Sequence, residues 1–426
     1  MRILLIGADG FIGSRLAARL HAEGHQVIPA THARTDGVTR PPKEEALSVD
    51  LTRDDCEAWL PRLESIDAVI NAAGAMVGDL DALHAIGPIA LFEACARRAI
   101  GRVIQISALG AHMAAETEFL RSKARADAHL MELRDRHGFH GWSILRPSLV
   151  LGRGGGSMAL FSALAALPFP LRLGRGDWRV QPLHVNDLTA AIAHLLGRDI
   201  PTPACLNLVG PEELTTDQLT QILREWLGLS AARMLTLSEN ALALMANIGS
   251  WLPNAPWRKE TMTMLQRGNT ADPMPARSYG ITILPLAEAL TREPATQSDV
   301  MHARLMPLLP AIRVALGITW IGSGVIPLML TPEAVNRSLL AGLGLTDHLG
   351  QIVLYAGSAL DVAIGLGLLL KQRPATWFLL AQIGAIFFLT LLASLAAPGA
   401  WVDPFAPLLK NLALLAATLA LFAVRR

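Results

Sequence analysis

Along the first 150 residues the apolar positions come in short continuous runs: Ile3–Ile6, Gln26–Ala30, Ala46–Val49, Ala68–Ile70, Val103–Ile106 and Ser143–Leu145. A strand buried on both faces reads as such an unbroken run, because neither face meets water. Between the runs lie stretches with helical spacing, such as Ser14–His21 and Pro88–Arg98. Alternating β and α units predict an α/β Rossmann-type, doubly wound parallel sheet. From 151 to 291 the pattern is less regular and reads as a smaller substrate lobe. There Thr215, followed three residues later by Gln218, predicts a capping box opening a helix over Asp217–Leu227. Residues 234–252 are apolar but carry Glu239, Asn240 and Asn247, so a core helix of the lobe is favoured over a surface-lying membrane helix.

The character then changes. After a polar stretch at 292–306, expected to be a linker, four apolar stretches follow at about 307–330, 350–370, 375–396 and 405–424. Each approaches the ~20 residues needed to cross a bilayer, which predicts a four-helix transmembrane bundle. Arg304, Lys371, Arg373, Arg425 and Arg426 lie on one side of these spans, whereas the connections on the other side hold only Arg337. The positive-inside rule then puts both termini in the cytoplasm, as a multi-pass protein of the inner (cytoplasmic) membrane. Three ionisable groups fall in or at the spans: Arg313, Asp361 and Lys410. Such groups are costly in hydrocarbon and mark function or a structural pair. An Arg313–Asp361 pair is one expectation; Lys410 snorkelling to the interface is another.

Composition narrows the reading further. The 52% hydrophobic and 17% charged fractions exceed what a soluble domain carries, and that excess sits in the last 120 residues. A net charge of +1 gives no nucleic-acid footprint. Cys56, Cys95 and Cys205 are far apart, so neither a disulfide framework nor a metal site is expected. The first strand starts almost at Met1 with no charged n-region or cleavage site before it, so no signal peptide is expected.

The chemistry is concentrated at the N-terminus, where Gly7, Gly10 and Gly13 interrupt the join between the first strand and the first helix. Glycines there permit a tight turn, close backbone approach to a phosphate, and close helix–strand packing. The helix that follows points its amides and positive dipole end at the turn, which suits a pyrophosphate. The alternative is a glycine turn with no ligand. The second strand ends in Thr31 and His32, with Arg34 beyond and no acid before Asp36. A cation there suits a 2′-phosphate, so NADP(H) is favoured over NAD(H); otherwise Arg34 is a solvated loop charge. Asp187, after Asn186, reads as a helix N-cap, and His184 reads as structural. The GRGGGS run at 152–157 is expected to frame a loop near nicotinamide or substrate.

Over roughly residues 1–290 the motifs Gly7-Ala8-Asp9-Gly10-Phe11-Ile12-Gly13, Val49-Asp50-Leu51, Asn71-Ala72-Ala73-Gly74, Ile106-Ser107 and Leu145-Arg146-Pro147 resemble the extended or atypical short-chain dehydrogenases. Within them the chain is similar to the branch holding the dehydrogenase-like accessory subunit of respiratory complex I and the NmrA-like NAD(P)H-binding proteins. The segments Leu309-Pro310, Arg313, Gly322-Ser323-Gly324, Asp403-Pro404-Phe405 and Lys410-Asn411 resemble the DoxX-like four-helix membrane family.

The resemblance implies cofactor contacts at Gly7, Gly10, Phe11, Ile12, Gly13, His32, Arg34, Asp50, Leu51, Ala72, Ala73, Gly74, Lys123 and Pro147. It also implies catalysis by a Ser–Tyr–Lys set, of which Ser107 and Lys123 fall in place. In that set Tyr exchanges a proton with the substrate, Lys lowers the Tyr pKa and holds the ribose, and Ser polarises the substrate oxygen. Four residues before Lys123, however, stands Phe119, which has no proton to give. Three readings stay open: a dinucleotide bound without turnover, another proton relay through His112 or Glu116, or hydride transfer to a quinone- or flavin-like acceptor protonated by water. A membrane-anchored oxidoreductase acting on a lipophilic substrate, and a non-catalytic sensor, scaffold or assembly factor, are the two functions expected.

Overall fold

The computed structural model describes residues 1–32, 46–197, 202–251, 258–345, 347–370, 375–402 and 408–423. It divides into two compact units, Met1–Ala303 and Arg304–Arg426.

In the first unit the apolar runs become β1 (Arg2–Ile6), β2 (Gln26–His32), β3 (Leu47–Val49), β4 (Ala68–Asn71), β5 (Arg102–Ile106), β6 (Trp142–Pro147) and β7 (Cys205–Leu208). They form one sheet in the order 7-6-5-4-1-2-3, every pair parallel. The order reverses between β1 and β4, the crevice where such sheets take ligands. Strand periodicity sends alternate residues to opposite faces. Ile3 and Leu5 enter one core with Leu16, Leu20, Leu188 and Ile192. Leu4 and Ile6 enter the other with Leu91, Phe92, Leu130 and Trp142. The helices covering these faces are α1 (Phe11–Ala22), α2 (Gly87–Arg97), α3 (Glu118–His137) and, beyond α4 (Gly156–Ala166), α5 (Val185–Leu195).

The smaller lobe has its own core, built from Leu151, Phe161, Leu173, Leu219, Leu223 and Met262 among others. The predicted capping box is present at the start of α6 (Thr216–Trp226), with Thr215 and Gln218 bonding reciprocally. Residues 234–252 divide into a short strand, Leu235–Leu237, and a helix, Glu239–Trp251, that buries Leu242 and Ala246 in this core. Asp187 does not cap α5. The helix starts three residues earlier, so His184 holds the N-cap position and its ring accepts from the Asn186 amide at 3.3 Å. Asp187 instead accepts from the Leu284 amide at 3.1 Å.

The stretch expected as a linker is packed into the first unit as far as Ala303. Arg153 of the glycine-rich run pairs with Asp299 at 3.0 Å, and Asn186 donates to Glu293 at 2.6 Å. These partners lie more than a hundred residues apart in sequence, which local polarity does not register.

Among the described residues of the second unit three helices are long and apolar enough to cross a membrane: α7 (Leu308–Met329), α8 (Asp347–Leu370) and α9 (Thr376–Ala396). Within the expected fourth span, α10 (Lys410–Ala423) is a shorter apolar helix of 14 residues, and residues 403–407 lie outside the described set. Small residues set the α7–α8 packing. A Cβ on Gly324 would lie 2.4 Å from the Ser358 carbonyl oxygen, and one on Gly365 would lie 2.7 Å from that of Gly317. Arg313 does not pair with Asp361. Its guanidinium donates to the Leu368 carbonyl and, at 3.2 Å, to that of Leu369. Those carbonyls lie in the last turn of α8, the negative end of the helix dipole, which attracts a cation. Lys410 opens α10 and is exposed.

A Cβ on Gly13 would lie 2.0 Å from the Gly7 carbonyl oxygen, backbone that cannot swing aside. Gly13→Ala is therefore expected to destabilise the first unit by about 1–3 kcal/mol, the usual range for overpacking. Thermal unfolding of the detergent-purified chain checks this; an unchanged Tm would contradict it.

Candidate functional site

The β1–α1 turn is made by glycines for definite reasons. Gly7 has φ +75°, a left-handed conformation that side chains resist, and its amide donates to the Ala30 carbonyl at 2.9 Å. The Gly10 amide closes the turn on the Gly7 carbonyl at 3.0 Å. The first bond inside α1 runs from the Ser14 amide to the Gly10 carbonyl at 2.9 Å. The amides of Phe11, Ile12 and Gly13 therefore have no acceptor within the helix and point out of its N-terminus. Gly10, the N-cap residue, offers no side chain to satisfy them. That is the geometry of an anion site.

The crevice beside this turn is lined from β4. The Asn71 side chain accepts from the Ala73 amide at 3.1 Å and donates to Gln105 at 2.8 Å, which fixes the bend through Ala72, Ala73 and Gly74. Gly7 and this bend nearly touch: a Cβ on Gly7 would lie 2.9 Å from the Ala73 nitrogen.

At the far side of the switch point stands Lys123, on α3 and only 4% exposed. Its Nζ donates to the carbonyls of Ala73 and Ile106, both at 3.1 Å. A Cβ on Gly74 would lie 3.6 Å from that Nζ, an ordinary contact distance, so the ammonium packs against this bend. Burial pulls the Lys123 pKa down to about 8, while Asp127 opposes the shift. Ser107, at the end of β5, donates its hydroxyl to Asp127 Oδ2 at 2.8 Å. The same oxygen accepts two bonds from Arg146, at 3.0 and 2.9 Å. Burial raises the Asp127 pKa and Arg146 counters it.

Sequence reading missed three members of this arrangement. Asp127 sits one turn past Lys123 on α3, a spacing that could have shown it. Arg146 lay inside a quoted motif without a role. His84 gave no local signal. It lies in a π-helical turn, Ala82–Ile86, a form that recurs at functional sites. Its Nε2 accepts from the Ala75 amide at 3.1 Å, so Nδ1 carries the proton and donates to Ser122 Oγ at 3.2 Å. Burial and the Lys123 charge push its pKa down to about 3, so the ring is neutral. The Phe119 ring stands edge-on to His84, 5.3 Å between centroids.

The other expected residues fall as follows. Asp50 follows β3 and accepts from the Thr52 hydroxyl at 2.6 Å, which holds its carboxyl below the usual range. It lies 3.8 Å from His32 at the end of β2, so an acid does reach that strand end, contributed by β3. Leu51 is buried, and the Pro147 carbonyl accepts from the Leu109 amide at 2.9 Å. Arg34 lies outside the described residues. Glu116 is ion-paired to Arg267, and His112 is exposed. No cluster of metal-ligating side chains occurs among the described residues.

The buried ammonium predicts a pH dependence. The Lys123 pKa falls from the ordinary 10.5 to about 8, so below pH 8 the folded chain carries the whole desolvation penalty, about 3 kcal/mol. Between pH 8 and 10.5 the unfolded chain binds more protons than the folded one, so this contribution to stability rises with pH. Comparing wild type with Lys123→Met by denaturant unfolding at pH 7 and pH 10 isolates it. The gap between the two should change by roughly that amount in favour of wild type at high pH; a constant gap would contradict the assignment.

Comparisons with known proteins bear on the fold and on the two regions of the chain. The NAD dependent epimerase/dehydratase family model matches residues 3–208, and the DoxX-like family model matches residues 317–419. An Arabidopsis thaliana protein, mitochondrial NADH dehydrogenase [ubiquinone] 1 alpha subcomplex subunit 9, is 28% identical over 241 residues, which is 52% of this chain and 58% of that relative. The chain thus spans under two thirds of that relative's length. A 2-alkyl-3-oxoalkanoate reductase of Stenotrophomonas maltophilia is 28% identical over 231 residues, 48% of this chain and 67% of the relative. Among solved structures, Thermus thermophilus UDP-glucose 4-epimerase in complex with NAD aligns with TM-score 0.51 at 19% identity, covering 71% of this chain and 99% of that one. Residues 3–208 are thus similar to the NAD dependent epimerase/dehydratase family, in a Rossmann fold, and residues 317–419 to the DoxX-like family.

Proposed function

We propose that the first unit binds a nicotinamide dinucleotide and that the chain is a membrane-anchored oxidoreductase acting on a lipid-soluble, quinone-like acceptor. The observation that carries the binding is the set of amides at Phe11, Ile12 and Gly13 that α1 leaves without acceptors beside a glycine turn. These amides would hold the diphosphate, as the helix dipole favours. Asp50 and Leu51 would meet the adenosine, and Ala72–Gly74 would line the groove. Lys123 would hold the nicotinamide ribose, and Pro147 would stand near the ring. When bound, the reduced nicotinamide supplies a hydride, and with one proton from water a quinone is converted to its dihydroxy form. We favour NADP(H) over NAD(H) on the cationic residues His32 and Arg34 in the sequence at and after the end of β2; Asp50, 3.8 Å from His32, argues the other way, as the acid that would hold the ribose hydroxyls of NAD(H).

The side chains at the site support this choice of acceptor. The Ser107 proton is committed to Asp127, so Ser107 presents lone pairs rather than a donor. His84 is neutral, with its proton directed at Ser122. Phe119 can supply nothing. An acceptor whose reduced anion is weakly basic avoids the need for an enzymic acid, whereas a simple ketone does not. The same observation favours a second reading, in which the dinucleotide is bound without turnover and the chain serves as a sensor, scaffold or assembly factor. The membrane association rests on the DoxX-like match and on the three long apolar helices, and we read the setting as an inner membrane with both termini cytoplasmic.

The chain purified in detergent should oxidise NADPH faster than NADH with decylubiquinone or menadione, and not with simple ketones. Phe119→Tyr restores an acid, so ketone reduction should rise by about 10²-fold, the lower range for a positioned proton donor. Stabilisation by nucleotide without oxidation by any acceptor would establish the second reading. Preference for NADH would reverse the cofactor choice.

A further inference from the structure

The smaller lobe of the first unit holds a cavity of about 30 Å³. Leu160 and Leu164, one turn apart on α4, line it from one element. Leu173 and Leu237 come from two paired strands, Leu171–Leu173 and Leu235–Leu237. The helix Glu239–Trp251 adds Leu242 and Met245, and the helix Lys259–Gln266 adds Met262. No polar atom of the described residues faces the space. A water there would find no partner, so the cavity suits an apolar occupant. One water needs about 10–15 Å³ of such space, so about two or three methylene groups fit and a ring does not.

Three connections tie this cavity to the dinucleotide crevice. Beyond Pro147, Leu149 and Leu151 enter the same core as Leu173, Leu242 and Met262. At the start of α4, a Cβ on Gly155 would lie 2.8 Å from the ring of Phe11, the first residue of α1. Arg267, directly after the helix that carries Met262, is ion-paired to Glu116, on the loop between Ser107 and α3. The cavity also reaches the surface. Leu164, Leu237 and Met245 are half-buried, and Phe169, Leu235 and Leu244 are exposed. The Leu235 amide donates to the Pro170 carbonyl at 2.8 Å, which brings Leu235 and Phe169 to one edge.

We propose that this cavity receives the end of an alkyl tail on the lipid-soluble substrate, whose head group would lie at the nicotinamide. The inference rests on the reading that the substrate is lipophilic, and it names the part of the chain that would select for the tail. Leucine and methionine side chains offer a tail only dispersion and the release of water from its surface. Two of the lining residues are methionines, unbranched and adaptable, so the walls can follow a thin flexible chain.

The full chain in lipid nanodiscs is photolysed, without nucleotide, with hexanol bearing a terminal diazirine. The label should fall on the peptides that carry Leu237, Met245 and Met262, and excess plain hexanol should remove it. Leu164→Trp and, independently, Met245→Trp fill the space and should each lose the label at Met262. A second readout is the KM preference for a hexyl-substituted over an unsubstituted dimethoxybenzoquinone. Partition into the nanodisc is common to wild type and variant, so comparing the two isolates the cavity. Each buried methylene is worth about fourfold in affinity, so the filled variants should lose about 15- to 60-fold of that preference. If no quinone is reduced, the oxidoreductase reading fails while the label still decides the cavity. A wild-type label that falls elsewhere or survives excess hexanol, or one that both variants retain, would overturn the proposal, as would an unchanged tail preference in both.

Discussion

The N-terminal unit depends on backbone meeting backbone at Gly7 and Gly13. With no Cβ at either position, α1 settles against the end of β1, and the bend after β4 closes to within contact of Gly7. That approach keeps the three unbonded amides of α1 over the point where strand order reverses. Leu16 and Leu20 then seat the helix on Ile3 and Leu5, so the hydrophobic core and the anion site share one placement. A side chain at Gly13 would lift the helix and spoil packing and recognition together.

Around the same switch point, charge is buried at considerable cost. Lys123 is taken out of water and held by two carbonyls at the ends of β4 and β5. One turn along α3, Asp127 gathers Ser107 and Arg146. Burial, aided by the Lys123 ammonium, keeps His84 neutral, and His84 ties the π-helical turn to α3 through Ser122. This is a rigid polar frame with its protons already assigned, which suits holding a ligand better than exchanging protons with it.

The sequence made legible what neighbours along the chain decide. The strand runs, the glycine turn, the Thr215 capping box and the apolar helices all follow from local period or spacing, and Lys123 follows from the family resemblance. Partnerships across the fold stayed hidden. His84 is reached only through α3, and Arg146 meets Asp127 only once β6 lies beside β5. Asp50 reaches His32 because β3 pairs with β2, which local reading of the β2 end could not show. Arg313 met backbone carbonyls rather than the expected carboxylate, since a helix end is an acceptor that no residue letter records. His184 took the cap expected of Asp187 because α5 begins three residues earlier than its sequence pattern implied.

The central claim is that the α1 amides hold a dinucleotide diphosphate. It is tested most directly by titration calorimetry of the detergent-purified chain with NADPH and NADH, in wild type and in Ile12→Pro. Proline is tolerated in the first helical turn and deletes one amide donor. The account predicts saturable binding by wild type and affinity about tenfold lower or worse in Ile12→Pro, the loss of one hydrogen bond to a charged group. No heat with either nucleotide, or equal affinity in the two proteins, would contradict it.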